Sequence, residues 1–113
     1  MARINYVELP STTLAGSKAF YAEAFDMKLA DYGPFYSCTL DQETNIGLQG
    51  YAEAASAAPL PVILVDDLEV ALATVEKAGG TIVRPIFAFP GGRRFHFRDP
   101  SGNELAAWVE EQA

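Results

Sequence analysis

Arg94-Phe-His-Phe-Arg-Asp-Pro-Ser-Gly-Asn-Glu-Leu-Ala-Ala-Trp108 decides the fold. Two apolar runs flank a turn at Asp99-Pro-Ser-Gly-Asn103, so the segment reads as a β-hairpin. Pro100 presets a negative φ at the first corner, and Gly102 tolerates the positive φ that a later corner needs. Phe95 and Phe97 alternate with Arg94, His96 and Arg98, a period of two that gives one greasy face and one polar face. Arg94 and His96 therefore stand on the same face of one strand.

Working outward, Leu60–Val65 is an apolar strand, and Asp66 is placed to cap a helix with Glu69 closing a capping box. Leu68, Ala71, Leu72, Val75 and Ala78 form the stripe of that helix, which Gly79-Gly80 stops. Strands follow at 81–86, 93–98 and 104–109. The first half has the same order. Ile4–Leu9 is a short alternating strand, and Ser11, Thr12 and Thr13 offer hydroxyl caps to a helix over 14–25. Leu14, Ser17, Tyr21 and Ala24 share a stripe that Phe20 broadens toward the core. Strands at 28–32, 35–40 and 45–50 complete that half, and 51–59 is a linker of small residues.

The register of the two halves agrees. Tyr6 lies seven residues before Thr13 and Leu60 seven before Asp67, while Asp26 and Gly80 each lie thirteen after those helix starts. The pattern is an internal duplication: an α+β chain of two tandem βαβββ modules, about 3–50 and 60–110, forming one domain over 1–113.

Composition narrows the function. With 113 residues, half of them hydrophobic, the chain is long enough to bury roughly two-thirds of its unfolded surface. A net charge of −7 repels nucleic acid and anionic lipid, so neither is expected as a partner. No apolar run has the length of a membrane span and no signal-peptide layout opens the chain, which points to a cytoplasmic protein. The single cysteine, Cys38, has no intramolecular disulfide partner and reads as a small core residue.

Tyr-Val-Glu-Leu-Pro, Ser-Lys-Ala-Phe-Tyr, Val-Asp-Asp-Leu, Ala-Gly-Gly and Asp-Pro-Ser-Gly-Asn, in that order, resemble the vicinal oxygen chelate superfamily. Its members include glyoxalase I, bleomycin resistance proteins, fosfomycin-modifying enzymes and extradiol dioxygenases. The resemblance covers nearly the whole chain and is closest to small single-domain glyoxalase-like proteins. It implies sheets curled into a cup that a homodimer completes. It also implies where metal ligands stand in the metal-dependent members; here those positions are Tyr6, Gly47, Leu60 and Ala106. None of these suits a divalent ion, so no metal and no other cofactor is expected, a differently built site from His96, Glu104 and Gln49 being the alternative, and standard glyoxalase or dioxygenase chemistry is disfavoured.

If Tyr6 and Ala106 face the cup, alternation brings Glu8, Gly47, Gln49, Val62 and Trp108 to the same side. The resemblance to fosfomycin-modifying enzymes adds Arg94 and His96, at the positions that contact an anionic substrate there. The candidate ligand-binding residues are thus Tyr6, Gln49, Arg94, His96 and Trp108, and the candidate acid or base is His96 or Glu8. Each has a second reading: His96 as a hydrogen-bonded strand residue, Arg94 as an ion-pair partner of Glu8 or Glu104, Tyr6 and Trp108 as core or interface aromatics. Phe87-Ala-Phe-Pro-Gly-Gly92 reads as a loop, either a lid or a surface packed on a partner subunit. The expected function is binding of a small molecule in a metal-free cup, in the manner of bleomycin resistance proteins. A metal-independent lyase or isomerase and a ligand-free interaction subunit are the alternatives.

Overall fold

The computed structural model describes residues 2–111, and these divide into two compact units, one of residues 5–60 and one of residues 61–111 joined by residues 2–4. The first unit has strands β1 (Arg3–Pro10), β2 (Leu29–Asp31), β3 (Tyr36–Thr39) and β4 (Asn45–Gln49) with helix α1 (Leu14–Phe25). The second has β5 (Leu60–Leu64), α2 (Leu68–Lys77), β6 (Thr81–Phe89), β7 (Gly92–Arg98) and β8 (Glu104–Glu110).

The strand order is β2-β3-β4-β1 in the first and β5-β8-β7-β6 in the second. In each, the opening strand lies parallel to the last one, and the remaining pairs are antiparallel. Glu8 pairs with Gly47 as Val62 pairs with Ala106. The duplication read from spacing is therefore present strand by strand.

The hairpin at the end of the chain forms as expected. Asp99 N–H donates to the Asn103 carbonyl at 3.0 Å, and the Asp99 carboxylate accepts from the backbone N–H groups of Ser101 and Asn103 at 2.8 and 3.0 Å. Gly102 has φ of +88°, a value glycine adopts without steric cost. The Asn103 side-chain amide, which donates to the same carboxylate at 3.0 Å, and then these backbone donors hold the Asp99 carboxyl below its ordinary range.

Helix α2 supplies the apolar face of the second unit. Leu68, Phe95, Ala107 and Val109 are buried together, with Ala71, Leu72, Val75, Ile82, Ile86 and Phe97 packed around them. The helix is capped by Asp67 rather than Asp66: the Asp67 carboxylate accepts from Val70 N–H at 3.0 Å. Glu69 closes no capping box, because with Asp67 as the cap the position three residues on is Val70; Glu69 instead pairs with Arg93 at 2.6 Å. At the other end, Gly80 N–H reaches Val75 O at 2.9 Å and Gly79 N–H reaches Glu76 O at 3.2 Å, a Schellman closure with Gly79 at φ +101°.

Helix α1 departs from its expected role. Thr13 is the N-cap, but its hydroxyl makes no capping bond, and no residue of the helix is buried. Phe20 is 56 % exposed, leaning edge-on against Tyr21 and Phe25 instead of entering the core. The cause is a sequence apolar on nearly every side, Leu-Ala-Gly-Ser-Lys-Ala-Phe-Tyr-Ala-Glu-Ala-Phe, which gives the helix no single face to bury. The buried side chains of β3 and β4 include polar ones, Ser37 and Thr39, beside Leu48. Thr39 is satisfied by Asn45 at 2.8 Å and by Ile46 N–H at 2.9 Å.

The expected loop at 87–92 is also corrected. β6 continues to Phe89, and only Pro90 and Gly91 separate it from β7, with Gly91 at φ +107°. A strand paired residue by residue with its neighbour is a wall, not a lid.

Truncating the second unit's core is expected to be costly. Leu68→Ala or Phe95→Ala should lower stability by about 2–5 kcal/mol in urea unfolding. Phe20→Ala, at an exposed position, should change it by about 0.5 kcal/mol or less.

Candidate functional site: an aromatic and cationic sheet face

Because Phe95 and Phe97 turn toward α2, the two-residue period sends Arg94 and His96 to the opposite face. Sheet register adds their neighbours. Arg94 lies between Phe87 and Trp108, and His96 lies between Arg84 and Ala106. Arg84 and Phe87 are three apart, so strict alternation would oppose them. The pairing of β6 with β7 shifts register on both sides of Arg84, and this irregularity, next to Pro85, brings both to one face. The Arg84 guanidinium then sits 3.7 Å from the Phe87 ring centroid. Arg94 lies 5.3 Å from Phe87 and 5.5 Å from Phe89, and Phe89 leans on Trp108 at 6.1 Å.

His96 is the buried centre of this face, 3 % exposed, with the Phe87 ring tilted over it at 5.8 Å. Its Nδ1 lies 2.8 Å from the Glu104 carboxylate. A carboxylate accepts, so in the neutral imidazole Nδ1 carries the proton and Nε2 holds the lone pair. Nε2 is buried with no hydrogen-bond partner among the described residues. Burial lowers the His96 pKa below its ordinary value; Glu104 opposes that shift, and the charges of Arg94 and Arg84 reinforce it. The imidazole is thus a neutral acceptor near neutrality.

The other candidates stand on the first unit. Glu8 is buried, and its carboxylate accepts from the Tyr36 hydroxyl at 3.1 Å. The Tyr36 hydroxyl is also bonded to that of Tyr6. Burial above all keeps both phenols protonated, with pKa values well above the ordinary tyrosine range, and the neighbouring Glu8 carboxylate adds to it. The Cys38 thiol, raised by burial, borders the same group beside Tyr6 and Tyr32. Gln49 is turned elsewhere: its side-chain oxygen accepts from Tyr51 N–H at 2.9 Å, fixing the start of the linker.

These residues do not fit the metal that the resemblance implies for metal-dependent members. A Cβ placed on Gly47 would run into the hydroxyls of both Tyr6 and Tyr36 and lie 2.6 Å from Tyr6 Cε2. The phenols fill the space that a ligating side chain at position 47 would need. Leu60 and Ala106, both fully buried, carry no donor atom. Among the described residues no three of His, Cys, Asp and Glu converge.

Arg94, His96 and Trp108 stand on one face of the sheet, Glu104, expected as a partner of Arg94, bonds His96, and Tyr36 and Arg84 were not anticipated from the sequence. Glu104 was within reach of the hairpin register: once Arg98 faces Glu104, His96 faces Ala106, and Glu104 is its diagonal neighbour two residues away. Tyr36 gave no such signal, since β3 is four residues long and both its faces carry polar groups. A surface depression of about 310 Å³ lies elsewhere, between Asp66, Glu69, Arg93 and Glu111. Arg93 there is committed to Glu69 and Glu111 at 2.6 and 2.9 Å, and these pairs account for it as a structural clasp.

The fold and these two groups of side chains define a glyoxalase-type module pair. The chain belongs to the Glyoxalase/Bleomycin resistance protein/Dioxygenase superfamily, whose family model matches residues 3–107. Its structure is similar to that of a hypothetical protein from Bacillus halodurans (TM-score 0.81, 13 % identity, 99 % of this chain and 96 % of that one). It is also similar to methylmalonyl-CoA epimerase from Mycobacterium tuberculosis (0.79, 12 %, 96 % and 88 %). A third likeness is to a glyoxalase/bleomycin resistance protein/dioxygenase superfamily member from Vibrio splendidus (0.75, 13 %, 98 % and 100 %). At these identities the likeness is one of fold. No curated protein matches the sequence.

Two outcomes follow from the geometry. Gly47→Ala should cost about 1–3 kcal/mol by overpacking, and less in a Tyr36→Phe background, which a double-mutant cycle of urea unfolding would measure. The lowered His96 pKa makes the folded state the weaker proton binder. Its contribution is therefore complete above the unfolded-chain value of about 6.5 and is lost as pH falls through the folded value. The Tm should decline over that window, and His96→Gln should flatten the decline.

Proposed function

We propose that this protein binds a small anionic molecule on the face built by Phe87, Phe89, Arg94, His96 and Trp108, without a metal ion. The observation that carries this reading is the placement of aromatic rings and two guanidiniums around a buried imidazole, on the face that α2 does not cover. Rings supply apolar area at fixed geometry, and the guanidinium offers paired donors to a carboxylate or similar group. The homodimer expected from the sequence belongs to the same reading. It is supported by the exposed aromatic side chains Phe20, Phe25, Phe35 and Tyr51 of the first unit.

A second reading, a metal-independent enzyme with His96 as the base, draws on the lowered His96 pKa. Glu8 is the weaker base candidate, because its carboxylate is already engaged by Tyr36.

Trp108 is the single tryptophan of the chain, so its fluorescence reports directly on the face. Benzoate and the three monohydroxybenzoates are suitable probes. Saturable quenching is expected, with binding weakened about tenfold or more in Arg94→Ala, equivalent to about 1.4 kcal/mol per decade. Native mass spectrometry of the same protein should show a dimer without a stoichiometric divalent ion. Unchanged fluorescence with every probe, or a tightly held metal, would overturn the reading.

A further inference from the structure

The imidazole at the centre of the face has two unlike nitrogens. Nδ1 is held by Glu104 at 2.8 Å, while Nε2 is buried with no partner among the described residues. A buried polar atom left unbonded keeps its desolvation cost uncompensated, and such an atom in a folded protein calls for an explanation. Its surroundings limit the candidates. Arg84 is the row neighbour of His96, Arg94 shares its face, and Phe87 covers the ring. A guanidinium close to a protonated imidazole is repulsive, so both arginines favour a lone pair at Nε2 over a proton. The site therefore has donors for an anion and one acceptor at its base.

We infer that Glu104 fixes His96 as an Nε2 acceptor, and that this selects ligands carrying both an anionic group and a hydroxyl donor on an aromatic body, namely hydroxyaryl carboxylates. The inference rests on the binding function proposed above and specifies its ligand. The carboxylate meets Arg94, the ring lies along Phe89 and Trp108, and the hydroxyl reaches Nε2 once the Phe87 ring swings aside. Glu104 is a positioning residue: it acts through the imidazole and sets which nitrogen bears the proton. A site that hydrogen-bonds a hydroxyl discriminates strongly against the analogue lacking it, because the acceptor is then left buried and unpaired.

The sole histidine of the chain makes the test direct. Protein labelled with ¹⁵N-histidine gives one imidazole spin system, in which protonated and unprotonated nitrogens are distinguished by shift. The free protein should show a protonated Nδ1 and an unprotonated Nε2 at neutral pH. Titration with a monohydroxybenzoate should move the Nε2 signal, and the best of the three isomers should bind at least about tenfold more tightly than benzoate. Glu104→Gln should mix the two tautomers and erase that preference while benzoate still binds, and Glu104→Asp should restore part of it. The groups facing His96 during the titration are Glu104, Arg94 and Arg84, so the pH is held fixed across variants.

A free protein with the proton on Nε2 overturns the inference on its own. Equal binding of benzoate and all hydroxybenzoates overturns it while leaving the proposed binding function standing. Failure of every probe to bind overturns both.

Discussion

The two-residue period of β7 is the constraint on which the second unit depends. One strand carries Phe95 into the contact with Leu68, Ala107 and Val109, and sends Arg94 and His96 the other way. A slip of one residue would reverse every assignment, placing a guanidinium under α2 and a phenyl ring on the open face. Register is locked at both ends of the strand. The Asp99 turn fixes Arg98 opposite Glu104, and the tight Pro90-Gly91 turn fixes Phe89 opposite Gly92. The core and the candidate site are thus two sides of one decision.

The two units share a plan but not a chemistry. Across the first sheet one row runs Glu8, Gly47, Cys38, Ala30; the matching row of the second runs Val62, Ala106, His96, Arg84. His96 is therefore the positional counterpart of Cys38, and both rows lack a ligand at the family's metal position on the last strand. In the first row the gap over Gly47 is closed by two phenols. In the second the alanine is small, and the neighbouring imidazole takes the centre.

The order of strands and helices was legible because alternation, turn residues and the duplicated spacing all agreed. The hairpin at 94–108 alone carried enough local information to place Arg94, His96 and Trp108 on one face. What escaped was set by tertiary context. Asp66 and Asp67 are both competent caps, and only the backbone geometry at Asp67 decides between them. Phe87 and Phe89 beside Pro90-Gly-Gly92 suggested a loop, yet pairing with β7 outweighs the breakers. Phe20 looked like a core residue by spacing, but a helix apolar on most sides leaves no preference for the register that would bury it. Tyr36 was invisible because its role comes from leaning across Gly47, on the strand between, to a hydroxyl partner two strands away.

Gly47 also bears on how this sheet can change by single substitutions. Any side chain there collides with Tyr6 and Tyr36, while shrinking either tyrosine first leaves a hole beside the Glu8 carboxylate and removes a hydrogen-bonding hydroxyl. Each one-step path to a ligating residue at that position passes through a less stable protein. The tyrosine pair is thus an epistatic lock: while both phenols are in place, a metal-binding side chain at position 47 cannot be introduced without cost.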